Sequence, residues 1–164
     1  MTTYTLGTVS RSFSSIANWE ATHGGDDISV GGLEADAAYV VEVHNDPSGG
    51  AFIDEGTTAT TLTITTDATN KITFRAASGN GSNGAPNDHT TRGDVQLIDD
   101  GTKGAGFVNS NTFSFMLTFT GDITIENLQF LADGNRGGVF DFSSAGVVNL
   151  SKTIARTSDA GANH

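Results

Sequence analysis

The chain has 164 residues, with 8 basic against 19 acidic side chains for a formal net charge of −11, and it contains no Cys. One domain of this size can bury a continuous core, while the missing cysteines exclude disulfides and thiolate metal sites and leave the redox compartment open. The acidic balance excludes a polyanion partner: nucleic acid and anionic membranes are held by clustered Lys and Arg, and here no two bases are adjacent.

Twenty-one Gly, only two Pro and many Thr, Ser, Asn and Asp mark a turn-dense β protein. In chain order, Tyr4 to Val9 alternates weakly and reads as a first strand. Phe13 to Ala21 is the one segment that reads as a helix: Ser14 or Ser15 can cap it, and Ile16 and Trp19 share a face at i and i+3. Ahead of a repeating array such a helix covers an apolar end, with Trp19 as a plug between cap and core. His23 to Asp36 is a loop holding a small strand. Tyr39 to His44 is the first strong strand and ends in the turn Asn45 to Gly50. Thr61 to Thr66 and Ile72 to Ala76 follow as strands, joined by Asp67 to Asn70. Ala77 to Asp94 is a long polar insertion, of a length that is either functional or disordered, and in a solenoid such insertions often supply the contact surface. Phe113 to Leu150 reads strand, turn, strand, with no room for a helix.

The apolar pairs Ile72/Phe74, Val95/Leu97, Leu117/Phe119 and Phe140/Phe142 step by 23, 22 and 23 residues. A looser ladder runs from Tyr39/Val41 to Leu62/Ile64 and from Phe107 to Phe130. Asn127-Leu128 recurs as Asn149-Leu150. Self-similarity at this period marks a solenoid in which each coil must stack on its neighbours, and a strand-only coil is one rung of a parallel β-helix. Leucine-rich repeats would need a denser Leu framework. An antiparallel β-sandwich is the competing architecture, since strands every 8 to 12 residues also generate such pairs. The expected fold is all-β, a right-handed parallel β-helix of about five rungs. Residues 1–36 form its cap with a short N-terminal capping helix, 37–156 the rungs with the insertion at 77–94, and 157–164 a tail. After Ile154 no helix or apolar plug can serve as a lid, so a partner chain or further polypeptide is expected over the last coil.

The segment YTLGTVSRSFSSIANWEA resembles an N-terminal segment of right-handed parallel β-helix structural proteins of tailed bacteriophages and prophages, through Tyr4, Gly7, Thr8, Arg11, Phe13, Ser14, Ser15, Ile16, Trp19 and Glu20. Ile125 to Phe130, IENLQF, is similar to the rung motif of the same solenoids. The resemblance implies a virion structural protein: a capsid-decorating (cement) or head-fibre subunit bound to other virion proteins, major capsid or tail proteins, and commonly homotrimeric. The alternative is a tail fibre or tailspike β-helix that binds or cleaves host surface polysaccharide. The chain is shorter than the usual tailspike, which counts against cleavage. A virion location, after synthesis in the host cytoplasm, agrees with the lack of a signal peptide near Met1 and of any stretch of about 18 apolar residues.

Catalysis by a β-helix of this kind needs convergent carboxylates. The candidate pairs are Glu42 with Asp46, Asp99 with Asp100, and Glu126 with Asp141, and among 19 acidic residues such pairs also arise by chance. Arg75 is the only strand-borne base in a good rung, and it is expected to face solvent. Asp26-Asp27 and Asp99-Asp100 could hold Ca²⁺ in turns but lack the spacing of a calcium loop. His23, His44, His89 and His164 share no ligand spacing. No phosphate-loop Lys, GxSxG or HEXXH motif is present, and the sequons at Asn80 and Asn149 say little without a secretion signal. The sequence therefore assigns no catalytic, cofactor-binding or metal-binding residue and no cofactor, and it favours a non-enzymatic role.

Overall fold

In the computed structural model the described residues are 1–7, 9–34, 37–44, 53–57, 59–77, 105–109, 116–132, 139–142, 146–151 and 153–157. They form a mostly β protein with one short helix. In chain order the elements are β1 (Thr2–Leu6), α1 (Ile16–His23), β2 (Tyr39–Val43), β3 (Ile53–Asp54), β4 (Thr60–Leu62), β5 (Ile72–Ala76), β6 (Gly106–Asn109), β7 (Leu117–Phe119), β8 (Ile123–Glu126), β9 (Gln129–Ala132), β10 (Phe140–Asp141), β11 (Val148–Ser151) and β12 (Ile154–Thr157). All of the 77–94 insertion except Ala77, and the tail after Thr157, lie outside the described residues.

The strands belong to three sheets of order β1-β2-β5-β8-β11, β10-β7-β4 and β12-β9-β6-β3. From β2 onward the chain visits the five-, four- and three-stranded sheets in that rotation. Every strand pairing among the described residues is parallel. Parallel neighbours need a crossover between them; α1 lies in the one from β1 to β2, and from β2 onward the other two sheets provide it. An antiparallel sandwich is thereby excluded for these strands.

Period-two alternation places the apolar side chains. In β5, Ile72 and Phe74 are buried while Thr73 and Arg75 between them are only partly covered. One buried cluster takes residues from all three sheets and the helix, including Val41, Phe74 and Ile125, Ile53, Phe107 and Phe130, Leu62, Leu117 and Phe119, with Ile16 and Trp19. Two aromatic pairs repeat along it. Phe119 stacks on Phe142 at 5.3 Å and 14°, and Phe107 on Phe130 at 5.3 Å and 28°. Both pairs are 23 residues apart, the spacing of the sequence ladders.

The ladders themselves need correcting. Leu117 does pair with Phe140, and Phe107 with Phe130. Ile72, however, pairs with Tyr39 and Ile123 in the five-stranded sheet, whereas Leu117 belongs to the three-stranded one. Tyr39/Val41 and Leu62 also fall on different sheets, Ile64 lies beyond the end of β4, and Val95/Leu97 lies outside the described residues. The Asn-Leu recurrence has no structural counterpart: Ile125 pairs with Leu150, 25 positions on, and Asn149 lies inside β11 opposite Thr124. Asn127 instead makes the corner between β8 and β9, with φ 60°, a left-handed conformation that Asn tolerates better than most residues.

The helix expected over Phe13 to Ala21 forms at Ile16–His23, with the expected cap and buried face. Ser15 is its N-cap, with an extended backbone and its Oγ accepting from the Asn18 N–H at 3.0 Å. Ile16 and Trp19 are its buried face. The rings of Tyr39 and Phe74 lie 6.3 and 5.4 Å from that of Trp19, so this side chain plugs the core beneath the helix as anticipated.

Candidate functional site

Two regions concentrate polar chemistry on this scaffold, and the first is the junction between the N-terminal segment and the strands beneath it. β1 pairs along the edge of β2. A helix cannot pair with a strand edge, so side chains make the connection. Glu55, just after β3, accepts the Ile16 N–H at 2.8 Å and the Ala17 N–H at 3.2 Å, two of the donors that a helix N-terminus leaves unpaired. In return Glu20 on α1 accepts the Thr63 N–H at 2.8 Å and the Thr63 hydroxyl at 2.6 Å, just past β4. Glu55 is only 8% exposed. Burial pushes its carboxyl up to about 7 against the opposing pull of the two backbone donors. Burial also raises Glu20, and its bonds to Thr63 act the other way.

Beyond α1 the chain turns back onto the same strands. Asp27 forms a parallel bridge with Thr65, and the Ile28 N–H donates to the Thr65 carbonyl at 3.0 Å. Asp26 Oδ2 collects the Tyr39 hydroxyl at 2.7 Å and lies 3.0 Å from His23 Nδ1. The His23 ring sits among Tyr4, Phe13, Trp19 and Tyr39, with centroids 4.4 to 5.8 Å away. Burial, and then its bond to Asp26, holds the Tyr39 hydroxyl well above its ordinary titration range. This His–Asp–Tyr chain orients the imidazole and fastens the end of α1 to β2. His23 is held by Asp26 and the four rings, which makes it a lock in an aromatic box.

The second region is the outer face of the five-stranded sheet. Thr5, Glu42, Arg75, Glu126 and Ser151 are cross-strand neighbours in one row. Arg75 donates to Glu42 Oε1 at 2.7 Å, while Glu126 at the next register position is exposed. Arg75 was expected to face solvent, and it is half-exposed but engaged by its cross-strand carboxylate.

Among the described residues no candidate carboxylate pair is brought together. Glu42 is engaged by Arg75, and Asp46, Asp99, Asp100 and His89 lie outside the described residues, as does His164. Glu126 and Asp141 are on different sheets. Asp27 braces its own loop, its Oδ1 accepting the Ser29 N–H at 3.1 Å and the Ser29 hydroxyl at 2.5 Å. Asp26 is committed to His23 and Tyr39. His44 is far in sequence from His23, on the residue after β2. No group of three or more His, Asp or Glu that could hold a metal occurs among the described residues. No helix among them is long and apolar enough to cross a membrane.

Sequence reasoning missed Glu55, Glu20 and the His23–Asp26–Tyr39 chain. The only available signal was that a helix with a Ser cap still has N-terminal donors left to satisfy. No family model matches the chain, and no curated protein or solved structure matches it either.

Proposed function

We propose that the three sheets are the walls of a single right-handed parallel β-helix, and that the protein is a non-enzymatic structural component of a tailed-phage particle, of the capsid-decorating or head-fibre type. The architecture is supported by the shared core, the rotation of the chain through the sheets, and the stacked Phe pairs at a constant 23-residue step. Handedness follows from the strong preference of parallel crossovers for the right-handed course. The described strands then make four coils, with β1 adding a fifth strand to one wall.

One observation carries the functional reading. The segment that resembles the phage proteins, through Tyr4, Gly7, Arg11, Phe13, Ser15, Ile16, Trp19 and Glu20, is the segment that folds over the first coil. A capped stack of short coils is a stiff element whose work is mechanical, and its partners are other virion proteins, with lateral association into a homotrimer. Density-gradient purification of phage particles from a culture encoding the chain tests this, with the protein expected at many copies per particle. Its absence from the particle fraction overturns the reading. Release of reducing sugar from bacterial surface polysaccharide favours the tailspike alternative, for which the Glu42–Arg75–Glu126 row is the exposed polar surface.

A further inference from the structure

The outward face of the five-stranded sheet carries polar groups that the fold leaves unanswered. Alternation sends Ile72, Phe74, Ile123 and Ile125 into the core and turns Thr73, Arg75, Thr124 and Glu126 outward. Thr124 is 7% exposed, and its Oγ1 has no hydrogen-bond partner, a cost that a second group on this face would relieve. Glu126 is exposed, and neither it nor Lys71, one residue ahead of β5, belongs to an ion pair among the described residues. Arg75 meets Glu42 on one side only, with 41% of its side chain still open.

Across β5 and β8 these groups form a pattern. Ile72 pairs with Ile123, Thr73 with Thr124 and Arg75 with Glu126, so Lys71 and Asp122 stand side by side one residue ahead of that register. At both ends of the strand pair, then, a base on the β5 side neighbours an acid on the β8 side. The row between them holds Thr3, Val40, Thr73, Thr124 and Asn149, with no aromatic ring on which a sugar could stack.

Such a pattern is complementary to itself. Two sheets stacked face to face lie about 10 Å apart, a gap that an opposed Arg or Lys and a carboxylate can span. A two-fold axis running along the strands, between β5 and β8, carries β5 of one copy over β8 of the other. It sets Arg75 against Glu126 and Lys71 against Asp122, each twice, and Thr73 against Thr124. The other isologous arrangements centred here fail on charge. An axis along β5 puts Arg75 on Arg75, one along β8 puts Glu126 on Glu126, and one at right angles to the strands puts Lys71 on Arg75 and Asp122 on Glu126.

We infer that two copies of this chain pair through the outward face of the five-stranded sheet, β5 of each lying over β8 of the other. Arg75 and Glu126, and Lys71 and Asp122, then meet reciprocally, and the Thr124 hydroxyl comes within one bridging water of the partner's Thr73 hydroxyl. The contact is isologous and closes at two. It rests on the strand register alone, not on the virion role or on the three sheets forming one stack. The four overlapping strands, at about 4.8 Å spacing and about 3.3 Å per residue, make a patch of roughly 300 Å² per copy against about 800 Å² in a standard interface. The pair is therefore weak and salt-sensitive.

Charge swapping tests it. In sedimentation velocity wild-type protein should pass reversibly from one unit to two as concentration rises, a unit being the single copy or its lateral trimer. Glu126→Arg opposes positive side chains across the axis and Arg75→Glu opposes negative ones, so each variant alone should stay at one unit. Their equimolar mixture should reach two, because positions 75 and 126 then meet with opposite charge both ways. Lys71→Glu is the second variant, should Arg75→Glu alter the far-UV spectrum, and it too should stay at one unit. A wild type that stays at one unit up to about 0.5 mM, where even millimolar contacts register, overturns the inference. So does any single variant that pairs alone, or a mixture that stays at one unit.

Discussion

Replacing Glu55 with Gln should reverse its effect on stability between acidic and alkaline pH. In the folded protein burial raises the carboxyl from 4.5 to about 7. The folded state thus holds a proton that the unfolded chain releases, and the stability this provides is fully present below pH 4.5 and lost as pH climbs through 7. Over the whole window the shift corresponds to about 3 kcal/mol, of which roughly 2 to 3 kcal/mol falls between pH 5 and 8. The substituted amide cannot ionise, but it keeps only one acceptor oxygen for the Ile16 and Ala17 N–H groups, a loss of about 1 kcal/mol at every pH. The variant should therefore be about 1 kcal/mol less stable than wild type at pH 5 and about 1 to 2 kcal/mol more stable at pH 8. Urea denaturation of both proteins at the two pH values measures this directly. Glu20 and Asp67 also titrate anomalously, but they are common to both proteins and cancel in the difference. Equal destabilisation of the variant at both pH values would refute the argument that the buried carboxylate is strained by its charge.

The remaining predictions concern the cap, the core and the outer face. Ser15→Ala removes the acceptor for the Asn18 N–H and should lower stability by about 1 kcal/mol, read as a lower urea midpoint at unchanged m-value. Phe119→Ala opens a cavity between Phe140 and Phe142 and should cost about 3 to 5 kcal/mol; a loss below about 1 kcal/mol would mean that Phe119 is not packed in the shared core. For Arg75 and Glu42, a double-mutant cycle with Ala should return a coupling of less than about 1 kcal/mol that fades with added salt, because the guanidinium side chain is 41% exposed. A coupling above about 2 kcal/mol would instead place this pair in a desolvated setting.

What could be read from the sequence followed from how far apart the interacting residues are. The helix was legible because its cap, Ser15 with Asn18, and its buried face, Ile16 with Trp19, lie within one turn. The all-β class was legible because alternation is local too. The register was legible only where the connections between strands are short. Phe107 to Phe130 and Leu117 to Phe140 step by 23, whereas Tyr39 to Ile72 spans 33 positions and Ile72 to Ile123 spans 51. Extra residues between β2 and β3 and between β5 and β6 stretch those steps. An apolar pair at i and i+2 also looks the same on every wall, so period two shows that a side chain points inward without showing into which sheet. That is how Ile72 came to be aligned with Leu117. The junction was not legible at all. Glu55 meets Ile16 across 39 positions and Glu20 meets Thr63 across 43, and in an acidic chain each reads as one more solvated carboxylate.

That illegible junction also fixes where the cap sits. Trp19 against Tyr39 and Phe74 supplies apolar burial, but ring contacts of this kind change little if the helix slides or turns by a fraction of a residue. The exchanged carboxylates do not tolerate such a shift. Glu55 must reach the first two helical N–H groups, and Glu20 must reach Thr63 beside the edge of β4, so α1 is pinned at separate points, one just after β3 and one just after β4. Burying Glu55 costs stability at neutral pH, and a neutral side chain there would remove that penalty. The carboxylate instead gives one geometry to a joint between a helix and strand edges, two elements with no shared backbone pattern. On this argument Glu55→Gln should gain stability at pH 8 while loosening the cap. Amide exchange at Ile16 and Ala17 should rise relative to the N–H groups of β5, and unchanged protection there would show that Trp19 alone sets the position of the helix.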